Sequence, residues 1–497
     1  MRNLFFKVIF FTGLFLFNYE YLSSQFIEDA LRFSKSNTAF SPRVGALGVS
    51  YYGFADDAST VLFNPAGLAL VHGYELGLGL NFNSTDVETN YLGQTKTESL
   101  NDLYFSNVQF ALPFEIPIAE DEDINYTFGF AYFLENNFDA DYKFSAYNPN
   151  NTFIAQQADA KSSWVYETWL VDSNYNTKIQ NNMEQVGRIS ETGGLHNLVV
   201  GVGVDLTDNF AIGGSFVARV GNYDYYRVYT ESDIHNVHNE FEVDDVNEVR
   251  VTDKLNQSVG SVLGIFGVQF RLEDYLRIGI TVKTPCHIFI EEDYKTMYEV
   301  EYDDNDKLKQ QTFRDSYEGK NEYSVTAPFE FSLAASTHFN GLVLSLATSY
   351  QNAAALRFDN DDYYNYNYYY RKDMFFYDCL NDNIKDKLKK RLTVGIGAEY
   401  RIPTLPLYVR ASYTRVTSPY KTIFEYPHDE GYDSRNIIGA GCSIVLAKNL
   451  TIDAFFTYTS MQNLQAVYGS AEKRELFSFY TLDYSIINSG LGFRYRF

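Results

Sequence analysis

Carboxylates are the chain's most abundant reactive groups. Glu291-Glu292-Asp293, Asp244-Asp245 and Asp359 to Asp362 could each offer oxygen ligands to a hard divalent cation. None has the spacing of an EF-hand loop, so each reads as a solvated loop, and neither a metal site nor a cofactor is assigned. His235 and His238 stand three apart with no clear third ligand. There is no HExxH, no GxSxG and no phosphate-binding glycine loop. Cys286, Cys379 and Cys442 are odd in number and far apart, which suits neither a zinc site nor a disulfide framework. The chain does not read as an enzyme.

The rest of the composition points to a wall rather than a catalytic pocket. Among 497 residues there are 42 Tyr and 41 Phe but only 2 Trp, a profile expected where aromatic girdles line two membrane interfaces. The formal net charge is −24 and the basic run at Lys387 to Arg391 is brief, so nucleic acid is not an expected partner. Met1-Arg2-Asn3, with Lys7, makes a weakly basic start, Leu4 to Phe17 is an apolar run, and Tyr21 to Gln25 offers small residues for cleavage. Residues 1–24 therefore read as a signal peptide. No later stretch has the roughly 20 apolar residues of a spanning helix, so a membrane-spanning mature chain would have to be a barrel.

From residue 73 onward the pattern has period two. Tyr74, Leu76, Leu78, Leu80 and Phe82 alternate with Glu75, Gly77, Gly79 and Asn81. Similar rows run through Tyr126 to Leu134, Leu198 to Leu206 and Phe210 to Ala218. Hairpins then repeat, and the chain ends on Leu491, Phe493, Tyr495 and Phe497. This reading gives an all-β chain: an antiparallel transmembrane β-barrel of about fourteen strands over 73–497. Short turns are expected near 207, 273, 340, 404 and 448, with a Pro-rich one at 113–124. Long outer loops are expected at 84–103, 136–195, 230–257, 290–324, 352–390, 418–433 and 461–483. Trp164 to Leu170 is placed in a loop. Tyr363 to Tyr377 reads as a packed cap over the mouth, with a stacking platform as the alternative. Arg277, Lys283, Glu399, Arg410, Arg494 and Arg496 alternate with the apolar rows, so they are expected to face a wet lumen or a plug; Arg or Lys facing mid-membrane lipid would cost about 2–4 kcal/mol.

Between the signal and the strands lies GALGVSYYGFADDASTVLFNPAGLALV, Gly45 to Val71. Asp56, Asp57 and Ser59 are N-cap candidates, and Asn64-Pro65 is a turn from which Pro65 can open a second short helix. Two helical pieces this small and apolar need a wall to pack against. Both termini fall on the periplasmic side, which lets this stretch enter the lumen from below; the resemblance that follows implies that residues 25–72 are a hatch there.

ADDAST..FNPAGLA, with Glu28 to Ser34 before it, resembles the hatch of the FadL/TodX family of outer-membrane transporters for hydrophobic compounds. Asn64-Pro65-Ala66 matches that family's NPA triplet, Val282-Lys283-Thr284-Pro285 its Thr-Pro strand end, and Thr393 to Tyr413 a late hairpin. The resemblance implies an outer-membrane channel of a Gram-negative cell that takes up hydrophobic small molecules such as long-chain fatty acids. Asn64, Pro65 and Ala66 would gate it, with lateral release through a gap at a kinked strand. It also implies a monomer set among lipid and lipopolysaccharide, delivered to the barrel assembly machinery by its terminal Phe497. Strand registers alone do not assign ligand-contacting residues. The alternative is a barrel adaptor that binds protein cargo or a secretion-system component through its long loops.

Overall fold

The computed structural model describes residues 23–35, 41–119, 122–238, 245–272, 275–303, 311–359, 370–421, 432–447, 449–468 and 476–497. Residues 1–22 of the signal segment, Asp244, Asn360 to Tyr369 and the turn residues Glu273, Asp274 and Lys448 lie outside them, while Ser23 and Ser24 are described at the start of a helix.

Fourteen antiparallel strands close on themselves. They are β1 (Glu75–Tyr91), β2 (Gln94–Ala119), β3 in two pieces (Glu122–Asn137 and Ala140–Asn148), β4 (Met183–Thr207), β5 (Phe210–Ser232) and β6 (Asp245–Leu272). Next come β7 (Leu276–Lys283 and Cys286–Asp303), β8 (Gln311–Ala327 and Glu330–Phe339) and β9 (Leu342–Asn352 and Arg357–Asp359), each also in two pieces. The last five are β10 (Lys390–Ile402), β11 (Leu407–Val416), β12 (Arg435–Val445), β13 (Leu450–Tyr468) and β14 (Ser478–Arg496). β1 pairs with β14 from Glu75↔Arg496 to Asn90↔Thr481, which leaves the sheet no free edge there.

The period-two rows point outward. Leu80, Leu198, Phe216, Phe266, Leu333, Ile396 and Leu491 are all exposed, Phe266 at 60%. A water-soluble protein would not expose such a belt, whereas a bilayer satisfies it. The alternate residues face inward and are small or polar, as Asn81, Gln109, Ser345 and Thr414 are.

Many segments expected to be loops are strand. The chain runs along β1, through Leu92-Gly93, and back along β2, so 84–103 is a continuous hairpin. β6 has 28 residues where about 9–11 span a bilayer. β5, β7, β8, β13 and β14 likewise continue into stretches read as loop. Beyond the lipid both faces of these strands are wet or packed, so they carry no apolar alternation to read. The segment 149–182 does fold as a loop, with α5 (Phe153–Asp159) and α6 (Ser163–Glu167); the latter takes in Trp164. The Tyr-rich segment lies largely outside the described residues, and α7 (Tyr370–Lys387) begins within it.

Inside the barrel lie α1 (Ser23–Ser34), α2 (Pro42–Leu47), α3 (Tyr51–Phe54) and α4 (Thr60–Phe63), with 3-10 turns at Gly48–Ser50 and Pro65–Leu70. Val44, Leu47, Phe54, Val61 and Leu68 belong to one apolar cluster that continues into the inner wall at Ala131, Val217, Ile265 and Ala334.

Candidate functional site: the hatch and its seat

The hatch is fixed first by its own turns. Asp57 Oδ1 accepts from Ser59 N at 2.9 Å and from the Tyr51 hydroxyl at 2.6 Å. Asn64 caps the second 3-10 turn: its Oδ1 accepts from Ala66 N at 3.2 Å, and Pro65 stands where a missing N–H costs nothing. Asn64 Nδ2 also reaches the wall, donating to the Val268 carbonyl of β6 at 3.4 Å. Asn64 is fully buried.

Glycines make room for this turn. A Cβ at Gly267 would collide with the Asn64 amide, and one at Gly213 would stand 2.5 Å from the Pro65 carbonyl oxygen. The triplet thus sits in a groove that β5 and β6 open by omitting side chains. All three triplet residues are buried there.

A ring of charge holds the other half of the hatch. Arg43 pairs with Asp57 at 2.9 Å, with Glu399 of β10 at 3.1 Å and with Asp56. Arg410 of β11 joins Glu399 to Asp453 of β13. Arg494 of β14 links Asp453 back to Asp57, and Arg277 of β7 reaches Asp56 at 3.4 Å. Three arginines and three carboxylates thus alternate in a closed ring, with Asp56 and Arg277 as a branch from Arg43. Burial alone would raise the Asp57 carboxyl, but Arg43 and Arg494 outweigh it and hold it well below the usual range. The inward-facing charges of β7, β10, β11 and β14 meet the plug in this ring. Arg43 is the residue the sequence reading missed. Its signal was a lone cation in a Gly- and Ala-rich stretch, followed by two aspartates.

Helix α1 docks higher in the lumen. Arg32 lies 3.8 Å above the Tyr223 ring and pairs with Asp29. The Arg219 guanidinium donates to the Phe33 carbonyl at 3.3 Å and the Asn136 amide to the Lys35 carbonyl at 3.0 Å, so barrel side chains satisfy the open C-terminal end of the helix. Lys35 pairs with Asp433. The Glu28 side chain projects from α1 into the protein-enclosed lumen, next to buried Ile27, Asp29, Ala30 and Leu31. The surrounding protein displaces bulk water and pushes its pKa up to about 7; Arg32 and Lys35 oppose this, while Asp29 and Glu191 add to it. In a released helix the value returns to about 4.5. The docked form therefore holds the proton more tightly. Docking of α1 should be strongest below pH 4.5 and weaken as pH rises through 7. Hydrogen exchange of the α1 amides, corrected for intrinsic rates, should show this slope, and Glu28→Gln should flatten it. An unchanged slope in that variant would assign it to another group.

A small cavity of about 10 Å³ lies behind the hatch, between Leu62 and Phe63 on one side and Val217, Leu263, Ile265, Glu135, Arg219 and Lys283 on the other. It has room for about one water. Both cations are satisfied, Arg219 by Glu135 and Lys283 by Glu330.

The outer mouth is filled by the 149–182 segment. Trp164 stacks on Tyr298 at 4.3 Å, and the Glu231 carboxylate accepts from Phe153 N at 2.6 Å and from Gln185 Nε2 at 2.7 Å. His238 bonds the Asn181 carbonyl and His235 rests against Tyr147, so the two histidines have separate partners. Glu292 is buried against Gln257, while Asp293 is exposed beside Lys320. Cys286, Cys379 and Cys442 are all free thiols.

Among the described residues the wall is interrupted in two regions. In β3 the second piece pairs with β4 but not with β2; Thr89 of β1 bonds the Lys143 carbonyl and Phe144 meets Tyr91. β3 thus turns inward at Phe138-Asp139. The second region crosses β7, β8 and β9 at Thr284-Pro285, Pro328-Phe329 and 353–356.

No family model and no curated protein matches the sequence. Solved structures do match the fold. A FadL homologue of Pseudomonas aeruginosa is 13% identical, with 93% of this chain and 99% of that chain covered at a TM-score of 0.54. A variant of the TodX monoaromatic hydrocarbon channel lacking S2 is 11% identical, covering 89% and 94% at 0.51. A TodX S2/S3 deletion variant is 12% identical, covering 92% and 99% at 0.50. The chain shares the FadL/TodX fold: a closed fourteen-stranded barrel of the outer-membrane type with a small helical plug.

Proposed function

We propose that the protein is an outer-membrane channel for uptake of hydrophobic small molecules, gated by the hatch, with lateral release into the bilayer. The observation that carries this reading is a barrel belted with lipid-facing side chains whose lumen is filled by a hatch held through separable polar contacts. A filled lumen passes no solute unless the plug moves. Asn64, the charge ring and the glycine grooves are among the hatch's contacts with the wall, and they can break together. The neighbours of the same fold, described as a FadL homologue and as monoaromatic hydrocarbon channels, support an apolar cargo. Long-chain fatty acids and small aromatic hydrocarbons are the two classes to try first.

The test is binding of a fluorescent long-chain fatty acid to the refolded barrel, with an aromatic hydrocarbon as competitor. Saturable, displaceable binding supports the channel. Its absence from a demonstrably folded barrel moves the reading to the adaptor, which the long outer extensions of β5 to β8 would serve as a protein platform.

Within the channel reading Asn64, Pro65 and Ala66 form the gate. Asn64→Ala with Pro65→Ala should leave a folded, heat-modifiable barrel and slow uptake on the order of tenfold, as hinge variants do. Failure to fold would make the stretch purely structural.

A further inference from the structure

Above the lipid the wall becomes two sheets. Among the described residues β2 pairs with β3 only from Asn107 downward, and β13 pairs with β12 only as far as Met461. Beyond those points β2, β1, β14 and β13 rise as one sheet, and the second piece of β3 rises with β4 to β8 as another. The two meet through side chains, as in a sandwich: Phe144 stacks on Tyr480 at 4.5 Å, and Gln185 Nε2 donates to the Tyr468 hydroxyl at 2.9 Å. Tyr91, Tyr229, Val251 and Leu482 belong to the apolar cluster between them, which is distinct from the one that holds the hatch. β6 has 28 residues where about 9–11 cross the bilayer, so this head stands outside the lipid.

The 149–182 segment crowns the head. Trp164, Val165 and Leu170 enter its core, and the Tyr302 hydroxyl, near the outer end of β7, donates to the Thr168 carbonyl at 2.5 Å. Helix α6 ends in a Schellman turn: Leu170 N donates to the Val165 carbonyl at 2.9 Å and Trp169 N to the Tyr166 carbonyl at 3.2 Å. The left-handed position of that turn, which glycine fills without strain, is held by Trp169 at φ 67°. Tyr175 has φ 61°, in a turn where Asp172 Oδ1 accepts from Asn174 N at 2.8 Å and from Asn176 N at 2.9 Å. Both strained residues carry aromatic rings. Trp169 is 57% exposed, and Tyr175 packs against Tyr166, itself 51% exposed, at 5.9 Å. Exposed polar side chains surround them in sequence: Glu167, Asp172, Asn174, Asn176 and Lys178. Strain of this kind persists only where the surroundings impose it, and it gathers at sites of function.

We propose that Tyr166, Trp169 and Tyr175 form a carbohydrate-binding platform that takes pyranose units of polysaccharide outside the cell. A pyranose offers a C–H face to a flat ring and hydroxyls at its rim to amides and carboxylates. Rigid rings set among Asn, Asp and Glu answer both parts. The segment exposes no large aliphatic side chain beside these rings, so it lacks the broad apolar centre of a protein interface. The platform lies at the end of the head, held by the outer end of β7, and that height favours free polysaccharide over the cell's own glycolipid. The inference stands apart from the channel reading, since it uses neither the hatch nor the lumen.

The chain's two tryptophans make the test direct, because Trp164 is buried and Trp169 is not. The full chain in lipid nanodiscs is screened on an array of neutral and acidic pyranose oligosaccharides, and the best binder is titrated by tryptophan fluorescence. Saturable binding that changes the emission of Trp169 is expected. Trp169→Gly removes the ring and suits the left-handed backbone, so the melting temperature should hold or rise while affinity falls at least about tenfold. Tyr166→Ala should weaken binding in the same direction, and Trp169→Phe should keep most of it. Full affinity in Trp169→Gly, an array with no binder, or binding to purified lipopolysaccharide alone would overturn the proposal. A protein ligand lost in Trp169→Gly, with no oligosaccharide bound, would likewise overturn it and assign the platform to protein.

Discussion

Arg43→Ala should free the hatch while the barrel stays folded. The side chain joins buried Asp57 and Glu399 and the partly exposed Asp56. Removing it leaves three carboxylates sharing what remains of Arg277, Arg410 and Arg494. Breaking one side of a buried ion pair typically costs about 3–5 kcal/mol, because the remaining charge stays desolvated. That cost is expected to fall on hatch docking, because the strand ladder closed by β1 and β14 includes no hatch residue. The expected result is rapid trypsin cleavage after residues of the released segment, ion conductance in planar bilayers, and unchanged heat modifiability. Adding Asp57→Asn should recover part of the protection, since it removes one stranded charge and leaves three arginines facing three carboxylates. If Arg43→Ala remains as protected and as non-conducting as the wild type, the ring is not what holds the plug.

Gly213→Val is the second large effect. At this position the wall meets the hatch backbone itself, the Pro65–Ala66 peptide, rather than the end of a flexible side chain. Overpacking of this kind typically costs about 1–3 kcal/mol and more where backbone must shift. The valine favours the strand, so β5 should keep its pairing with β4 and β6 and the triplet should be pushed off its seat. Asn64 would then lose its bond to the Val268 carbonyl. Gly260→Val in β6 is the matched control, since a Cβ there has open space around it. Protection of the hatch from proteolysis should fall in the first variant and hold in the second. Equal protection in both would show that the groove yields and that the glycine is not needed for seating.

The two effects bear on different halves of one lock. The charge ring faces Arg43 and Asp57; the glycine groove faces Asn64 to Ala66. Their separate loss should show whether the plug leaves as one body or hinges at Asn64-Pro65.

Much of this architecture was local and therefore legible. Alternation such as Leu78, Leu80 and Phe82 against Gly77, Gly79 and Asn81 states a strand, its two faces and which of them lipid can cover. Repeated along the chain it gave the strand number. Asn64-Pro65 stated its own turn, because an Asn cap and an N1 proline need only neighbours in sequence. Strand length was not legible: above the lipid both faces of β1, β2, β5 and β6 carry mixed residues, so a hairpin through Leu92-Gly93 reads as a loop. The charge ring was equally hidden. Arg43 and Glu399 are 356 residues apart, and the closed register of the barrel alone brings β10, β11, β13 and β14 around one guanidinium. The break across β7, β8 and β9 needed the tertiary structure too. Pro285 and Pro328 are ordinary strand breaks in the sequence; only pairing of β7 with β8 sets them face to face, because register is a property of two strands and not of either one.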